Sequence, residues 1–248
     1  MSMFNGSPFG NNPGNVGGFV GGNETAGSPA IAAFFNAVYG WMAAGLGLTA
    51  LVAWLVANNI QALTATHGPM IIGLFIAQIV LVMAISGAVN RISANVATIM
   101  FLVFSALNGV TLAGIFLVYA HVTLAGTFLV TAVTFGAMSI YGMVTQRDLT
   151  RFGSLLFMAL IGIILASVVN LFLASSALYM AVTYLGVLLF VGLTAYDTQR
   201  LKGLAIGTAN NQAMAARYSI VGALMLYLDF LNLFLFLLQI LGSGDRRR

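Results

Sequence analysis

The sequence predicts an all-α integral membrane protein with seven transmembrane helices. Sixty per cent of its 248 residues are apolar and six per cent are charged, against roughly 25% charged in soluble domains. The apolar residues gather into seven long segments, each near the about 20 residues that carry a helix across the hydrocarbon core. A lipid-facing open strand would leave its backbone groups unsatisfied, so the segments read as helices.

Residues 1–29 are rich in Gly, Asn, Pro and Ser and read as a disordered tail. Asn23-Glu24-Thr25 matches a glycosylation sequon there, a short pattern that chance also produces. The membrane domain occupies 30–242, and 243–248 form a basic tail. Its segments run Ile31–Ala57, Met70–Val89, Val96–Tyr119, Val122–Val144, Phe152–Leu173, Leu178–Tyr196 and Tyr218–Leu241. Short connectors make sequence neighbours antiparallel neighbours in space. The longest connector is expected between the sixth and seventh segments, where Gly203, Gly207 and Asn210-Asn211 are turn formers. Small residues such as Ala43 and Gly47, or Gly109 and Gly114, allow close helix approach and read as ordinary packing.

Basic residues set the expected orientation. Arg91 follows the second segment, Arg147 and Arg151 the fourth, and Arg200, Lys202 and Arg217 the sixth; the intervening connectors carry no Lys or Arg. This alternation places those three connectors in the cytoplasm, with the N-terminus cytoplasmic and the C-terminus outside. The final Asp245-Arg246-Arg247-Arg248 opposes it, so either that tail is exported or the last segment dips in and returns. The basic residues form no patch, so the net charge of +4 speaks for a membrane topology signal and against nucleic acid as a partner.

The chemistry concentrates on two carboxylates. Asp229 sits near the middle of the last apolar segment, where an aspartate costs about 2.5–3.5 kcal/mol on insertion scales. It needs a partner, a proton or an ion. Asp197 ends the sixth segment; if that helix continues to Gly203, Arg200 and Lys202 snorkel outward while Asp197 stays inside. The two segments are consecutive, so Asp197 and Asp229 are expected to face each other. Two close carboxylates hold one proton between them and titrate as a pair. The shared proton ties the helices; its loss drives them apart and leaves hard oxygen ligands. Calcium takes six to eight oxygens, so the pair makes at best a weak calcium site, to which Asn232 adds an amide oxygen. The plainer readings stay open: a structural hydrogen bond for Asp229, and an interfacial salt bridge to Arg200 for Asp197. Tyr196 and Tyr227 are expected to point elsewhere on their helices. Arg91 reads as a topology anchor, Arg147 and Asp148 as a solvated loop pair, His67 and His121 as surface residues, and Asn108 and Asn170 as interhelical hydrogen bonders.

Conventional catalysis finds no support. There is no cysteine, hence no thiolate nucleophile and no Cys-based metal site. No Ser, His and Asp set, zinc motif or phosphate loop is recognisable. The chain is therefore expected not to be an enzyme and to need no cofactor. The one enzymatic alternative is an intramembrane aspartyl protease. It has a Tyr-Asp motif in its favour, but Leu228 and Phe230 flank Asp229 where glycine would be wanted.

With these residues in view, the chain resembles the Bax-inhibitor family of membrane proteins, in particular its bacterial members. ALMLYLDFLNLFLFLL at 223–238 is similar to that family's closing signature, and GLTAYDTQ at 192–199 to its sixth-helix motif. SIYG at 139–142, followed by Arg147-Asp148-Leu149, is a third match, and the likeness spans roughly 30–242. The resemblance implies six helices in two three-helix layers around a central C-terminal helix, in the bacterial inner membrane. It implies that Asp197 and Asp229 form a proton sensor controlling a passive calcium leak, with calcium as the transported ion. In bacterial relatives an arginine after the second helix can latch onto the pair, and Arg91 is the nearest candidate. The chain departs from the family in carrying Gln239 where a basic residue is usual. Some bacterial relatives are clients or modulators of a membrane-bound ATP-dependent protease through a cytoplasmic tail. Such a protease is accordingly an alternative partner, beside lipid, protons and calcium.

Overall fold

The computed structural model describes residues 29–59 and 69–243. The tail through residue 28 with its sequon, His67, and the basic end at 245–248 lie outside the described residues. Eight helices are present among the rest: α1 (Pro29–Ala57), α2 (Pro69–Gly87), α3 (Ala94–Leu112), α4 (Ile115–Val118), α5 (His121–Val144), α6 (Thr150–Leu173), α7 (Ser176–Thr208) and α8 (Gln212–Leu241). They supply seven spans long and apolar enough to cross a membrane, with α3 and α4 counted as one.

The seventh span is the core. Two thirds of the most apolar window of α8 (67%) is buried, against a third or less in every other span. A helix that is apolar all round must be covered all round, and α1, α3, α5 and α7 each pack on α8. In one layer α1 and α2 lie against α3; in the other α5 and α6 lie against α7. This is the expected arrangement of two three-helix layers around the last helix. Residues Ile31, Phe34, Val38, Met42, Gly45, Thr49 and Ala53 form the buried stripe of α1, the spacing of one helix face. By contrast α6 buries none of its residues, and Phe157, Leu165 and Phe172 are among its exposed side chains. Its apolar surface faces lipid rather than protein.

The ends of the last two spans differ from expectation. The sixth span does not stop near Tyr196: α7 continues to Thr208, and the connector to α8 shrinks to residues 209–211. Gly203 and Gly207 are helical, because Leu201, Ala205 and Thr208 form a buried stripe beyond the aspartate. Tertiary packing outweighs the weak helix propensity of glycine there. Asn211 does act as the stop signal's partner, accepting from the Met214 N–H at 3.0 Å as the N-cap of α8. The last segment neither dips nor returns; α8 is one unbroken helix of 30 residues.

Close approach is set by a few small residues. A Cβ at Gly142 would overlap the Ala195 carbonyl, so α5 and α7 touch backbone to backbone there. Gly109 meets the Thr49 carbonyl in the same way, whereas Gly47 and Gly114 have nothing within 4 Å. Asn108 is not an interhelical bonder: its amide nitrogen donates to the Phe104 carbonyl of its own helix at 3.0 Å. Asn170 accepts from the Ser175 N–H at 3.0 Å, tying α6 to the start of α7.

Candidate functional site

Asp197 and Asp229 meet. Their carboxyls lie close enough across the α7–α8 interface to act on each other electrostatically, and both line one cavity. Asp229 is only 5% exposed, and its Oδ2 is buried without a hydrogen-bond partner among the described residues. An ionised carboxylate in such surroundings is costly unless compensated, so the pair is chemically incomplete without a proton or a cation.

Both carboxylates border a cavity of about 430 Å³ between α6, α7 and α8, which Arg200, Tyr196 and Asn232 also line. Asn232 donates its amide N–H to the Leu228 carbonyl at 2.8 Å, which orients the side chain at the cavity edge. Tyr196 was expected to face elsewhere; instead it lines the cavity with its hydroxyl pressed against Gly153 of α6. The i−1 position leaves Tyr196 about 100° from Asp197 around the helix, and a wide cleft takes in both directions. Tyr227 does point away. Fully buried, it sits 2.7 Å from the Thr49 hydroxyl and packs edge-on to Phe101 and Phe104. Since Thr49 donates to the Ser105 carbonyl at 2.8 Å, the Tyr227 hydroxyl pins α8 to α1 and, through Thr49, to α3.

Arg91 is exposed in the turn between α2 and α3 and is not among the residues lining the cavity. Neighbouring Asn90 accepts from the Tyr218 hydroxyl at 3.2 Å, which places that turn beside the start of α8, about three helical turns from Asp229. His121 is exposed at the start of α5. It borders a separate apolar cavity of about 280 Å³ between α1, α5 and α8. Among the described residues no group of three or more His, Cys, Asp or Glu side chains converges to hold a metal.

A polar relay behind Asp197 was not anticipated. Tyr39 of α1 is hydrogen-bonded to Ser139 of α5. Ser139 lies 3.0 Å from the Thr198 hydroxyl, which donates to the Thr194 carbonyl at 2.7 Å. Each hydroxyl has one proton to give, so the chain runs Tyr39 to Ser139 to Thr198. The available signal was Thr194 and Thr198 four apart on the face beside Asp197. Gln199 fastens the next turn: its Nε2 donates to the Arg147 carbonyl at 2.8 Å, and its Oε1 accepts from the Leu149 N–H at 2.8 Å. Lys202 adds a bond to the Met143 carbonyl at 3.0 Å. Asp148 is exposed just ahead of α6 and accepts from the Thr150 N–H at 2.9 Å rather than pairing with Arg147. The Thr150 hydroxyl and backbone N–H, with a smaller contribution from Arg151, hold its carboxyl below the usual carboxylate range. The motifs singled out in the sequence therefore interlock: Ser139 and Gly142 dock on Thr198 and Ala195, Gln199 grips 147–149, and Asp197 meets Asp229.

Comparison with known proteins places the chain among bacterial membrane proteins. A family model described as "Inhibitor of apoptosis-promoting Bax1" matches residues 31–246. The chain is 54% identical over 210 residues to the inner membrane protein YbhL of Escherichia coli K12, covering 83% of this chain and 89% of the relative. It is 44% identical over 212 residues to an uncharacterized protein of Borreliella burgdorferi, covering 85% and 91% respectively. An uncharacterized membrane protein of Streptococcus pyogenes serotype M6 is 36% identical over 216 residues, covering 86% of this chain and 93% of the relative.

Proposed function

The chain belongs to the Bax-inhibitor family, and on that premise we propose that it is a passive, proton-gated leak for calcium or a similar small cation in the bacterial inner membrane. Asp197 and Asp229 act as both sensor and ion-facing ligands. The observation that carries this reading is the pair of carboxyls bordering one cavity inside an apolar bundle, with Asp229 Oδ2 buried and unpartnered among the described residues. With one proton shared, the pair is a hydrogen bond joining α7 to α8. Two unit charges about 4 Å apart repel by about 4 kcal/mol at an effective dielectric near 20. Loss of the shared proton therefore pushes α7 from α8.

The groups facing the pair fit this role. Arg200 borders the same cavity and offsets part of the negative charge, Tyr196 and Asn232 are neutral, and α6 contributes Gly153, Phe157 and Leu160, none of them charged. Two carboxylates and one amide fall short of the six to eight oxygens calcium prefers, which suits a transit point better than a storage site. The positive connectors favour a cytoplasmic 145–149 loop and a cytoplasmic N-terminus.

Purified full-length protein in calcium-loaded vesicles tests this. Efflux is expected to rise with pH, since deprotonation opens the pair, and Asp229→Asn is expected to flatten the profile. An unchanged pH profile in Asp229→Asn refutes the reading. Cleavage of a model transmembrane substrate, abolished by Asp197→Ala, would replace it with the protease alternative.

A further inference from the structure

The aspartate cavity has a counterpart. At the other end of the same three helices lies a cavity of about 310 Å³ lined by Ser167 and Asn170 of α6, Tyr179 and Thr183 of α7, and Phe236 and Gln239 of α8. Its polar groups are uncharged. The Thr183 hydroxyl donates to Gln239 Oε1 at 3.0 Å. Between the two cavities stand two rings: Phe190 borders the aspartate side and Phe236 the uncharged side. Their centroids are 5.9 Å apart with planes inclined by 30°. Phe236 occupies a notch in α7, where a Cβ at Gly186 would come within 2.6 Å of the ring.

The sequence spacing puts the residues of both cavities on one face of each helix, so the two lie in line along the α6–α7–α8 seam. On α8 the residues are Asp229, Asn232, Phe236 and Gln239; on α7 they are Thr183, Gly186, Phe190 and Asp197; on α6 they include Gly153, Phe157, Leu160, Ser167 and Asn170. Steps of three, four and seven keep residues on one face of a helix. Each helix thus turns one face to both cavities, with polar or small residues among those at either end and Phe157, Leu160, Phe190 and Phe236 between them. An apolar constriction between polar vestibules excludes water, and a dehydrated ion has no ligands there.

We propose that ions pass along the α6–α7–α8 cleft and that Phe236, held by Gly186 and backed by Phe190, is the partition closing it between the aspartate chamber and the uncharged chamber. This rests on the leak reading above and names the element that blocks the path at rest. Movement of α8 away from α7 withdraws the ring from its notch, which couples the partition to the aspartates. The cleft is bounded on one side by α6, which packs chiefly on α7, so lipid is the competing occupant of the uncharged chamber.

The chain contains no cysteine, so a single introduced thiol reports without background. In full-length protein in vesicles, Thr183→Cys is expected to react with a charged, membrane-impermeant thiosulfonate only from the face carrying the 174–175 turn. Asn232→Cys is expected to react only from the face carrying the 145–149 loop. Adding Phe236→Ala to Asn232→Cys should open labelling from the 174–175 face and raise calcium efflux severalfold at a pH where the unaltered protein leaks least. If Phe236→Ala does not reach the membrane folded, Phe236→Leu, which keeps apolar bulk, is expected to give a smaller change in the same direction. The proposal falls if Thr183→Cys is unreactive from both faces, as in a lipid-filled cleft, or if the sidedness of Asn232→Cys survives loss of the ring. Vesicles that leak no calcium at any pH sink the leak reading itself, and the labelling still decides the partition.

Discussion

Single side chains in this bundle act as pins because the apolar surroundings leave them few alternatives. The facing Asp197 and Asp229 at their shared cavity, the Tyr39–Ser139–Thr198 relay and the Tyr227–Thr49 pair each relate different helices. The aspartates were legible in the sequence because a charge in an apolar run has no ordinary explanation. The hydroxyl pins were not, because Ser and Thr bond their own helix as readily as a neighbour, and only the packing decides. Asn108 shows the reverse error, since its bond stays within its own helix, whereas Asn170 does reach the start of the next helix. Among the described residues one backbone position is under strain: Ala174 closes α6 with φ 48° and ψ 32°, a left-handed conformation that glycine adopts freely. Ala174→Gly is therefore expected to stabilise the protein by about 0.5–1 kcal/mol, read as a higher unfolding temperature in detergent.

Whole helices were foreseen by length and hydropathy, and their ends less well. The apolar segments predicted all seven spans, but the polar look of RLKG and of IGTANN hid three further turns of α7. What extends the helix is the buried stripe of Leu201, Ala205 and Thr208, and burial of that kind depends on neighbours that composition does not reveal. The contact of α5 with α7 depends on Gly142 in the same way. Gly142→Ala sets a methyl group against the Ala195 carbonyl and is expected to cost about 1–3 kcal/mol, seen as a lower unfolding temperature. It should also loosen the Ser139–Thr198 bond, now 3.0 Å. Gly203→Ala, with nothing within 4 Å of the added Cβ, is the matched control and should leave stability unchanged or slightly raised.

Across the molecule, the sequence carried the number of spans, the orientation signal and the helix that holds the charge. The arrangement of layers came from the resemblance, since hydropathy alone does not say which apolar helix is innermost. Orientation is open to direct measurement. In intact cells, Ser176→Cys is expected to take an impermeant thiol reagent, and Gln146→Cys only after permeabilisation; the reverse result would invert the topology. The central placement of α8 also bears on biosynthesis. The other six spans precede it in the chain, so they emerge from the ribosome before the surface they enclose has been made. Until Tyr218–Leu241 arrives they surround a gap, and a translation product cut short upstream of α8 is missing its hub rather than an edge. Quality control has a clear criterion here: chains without the final span expose the inner faces of both layers at once.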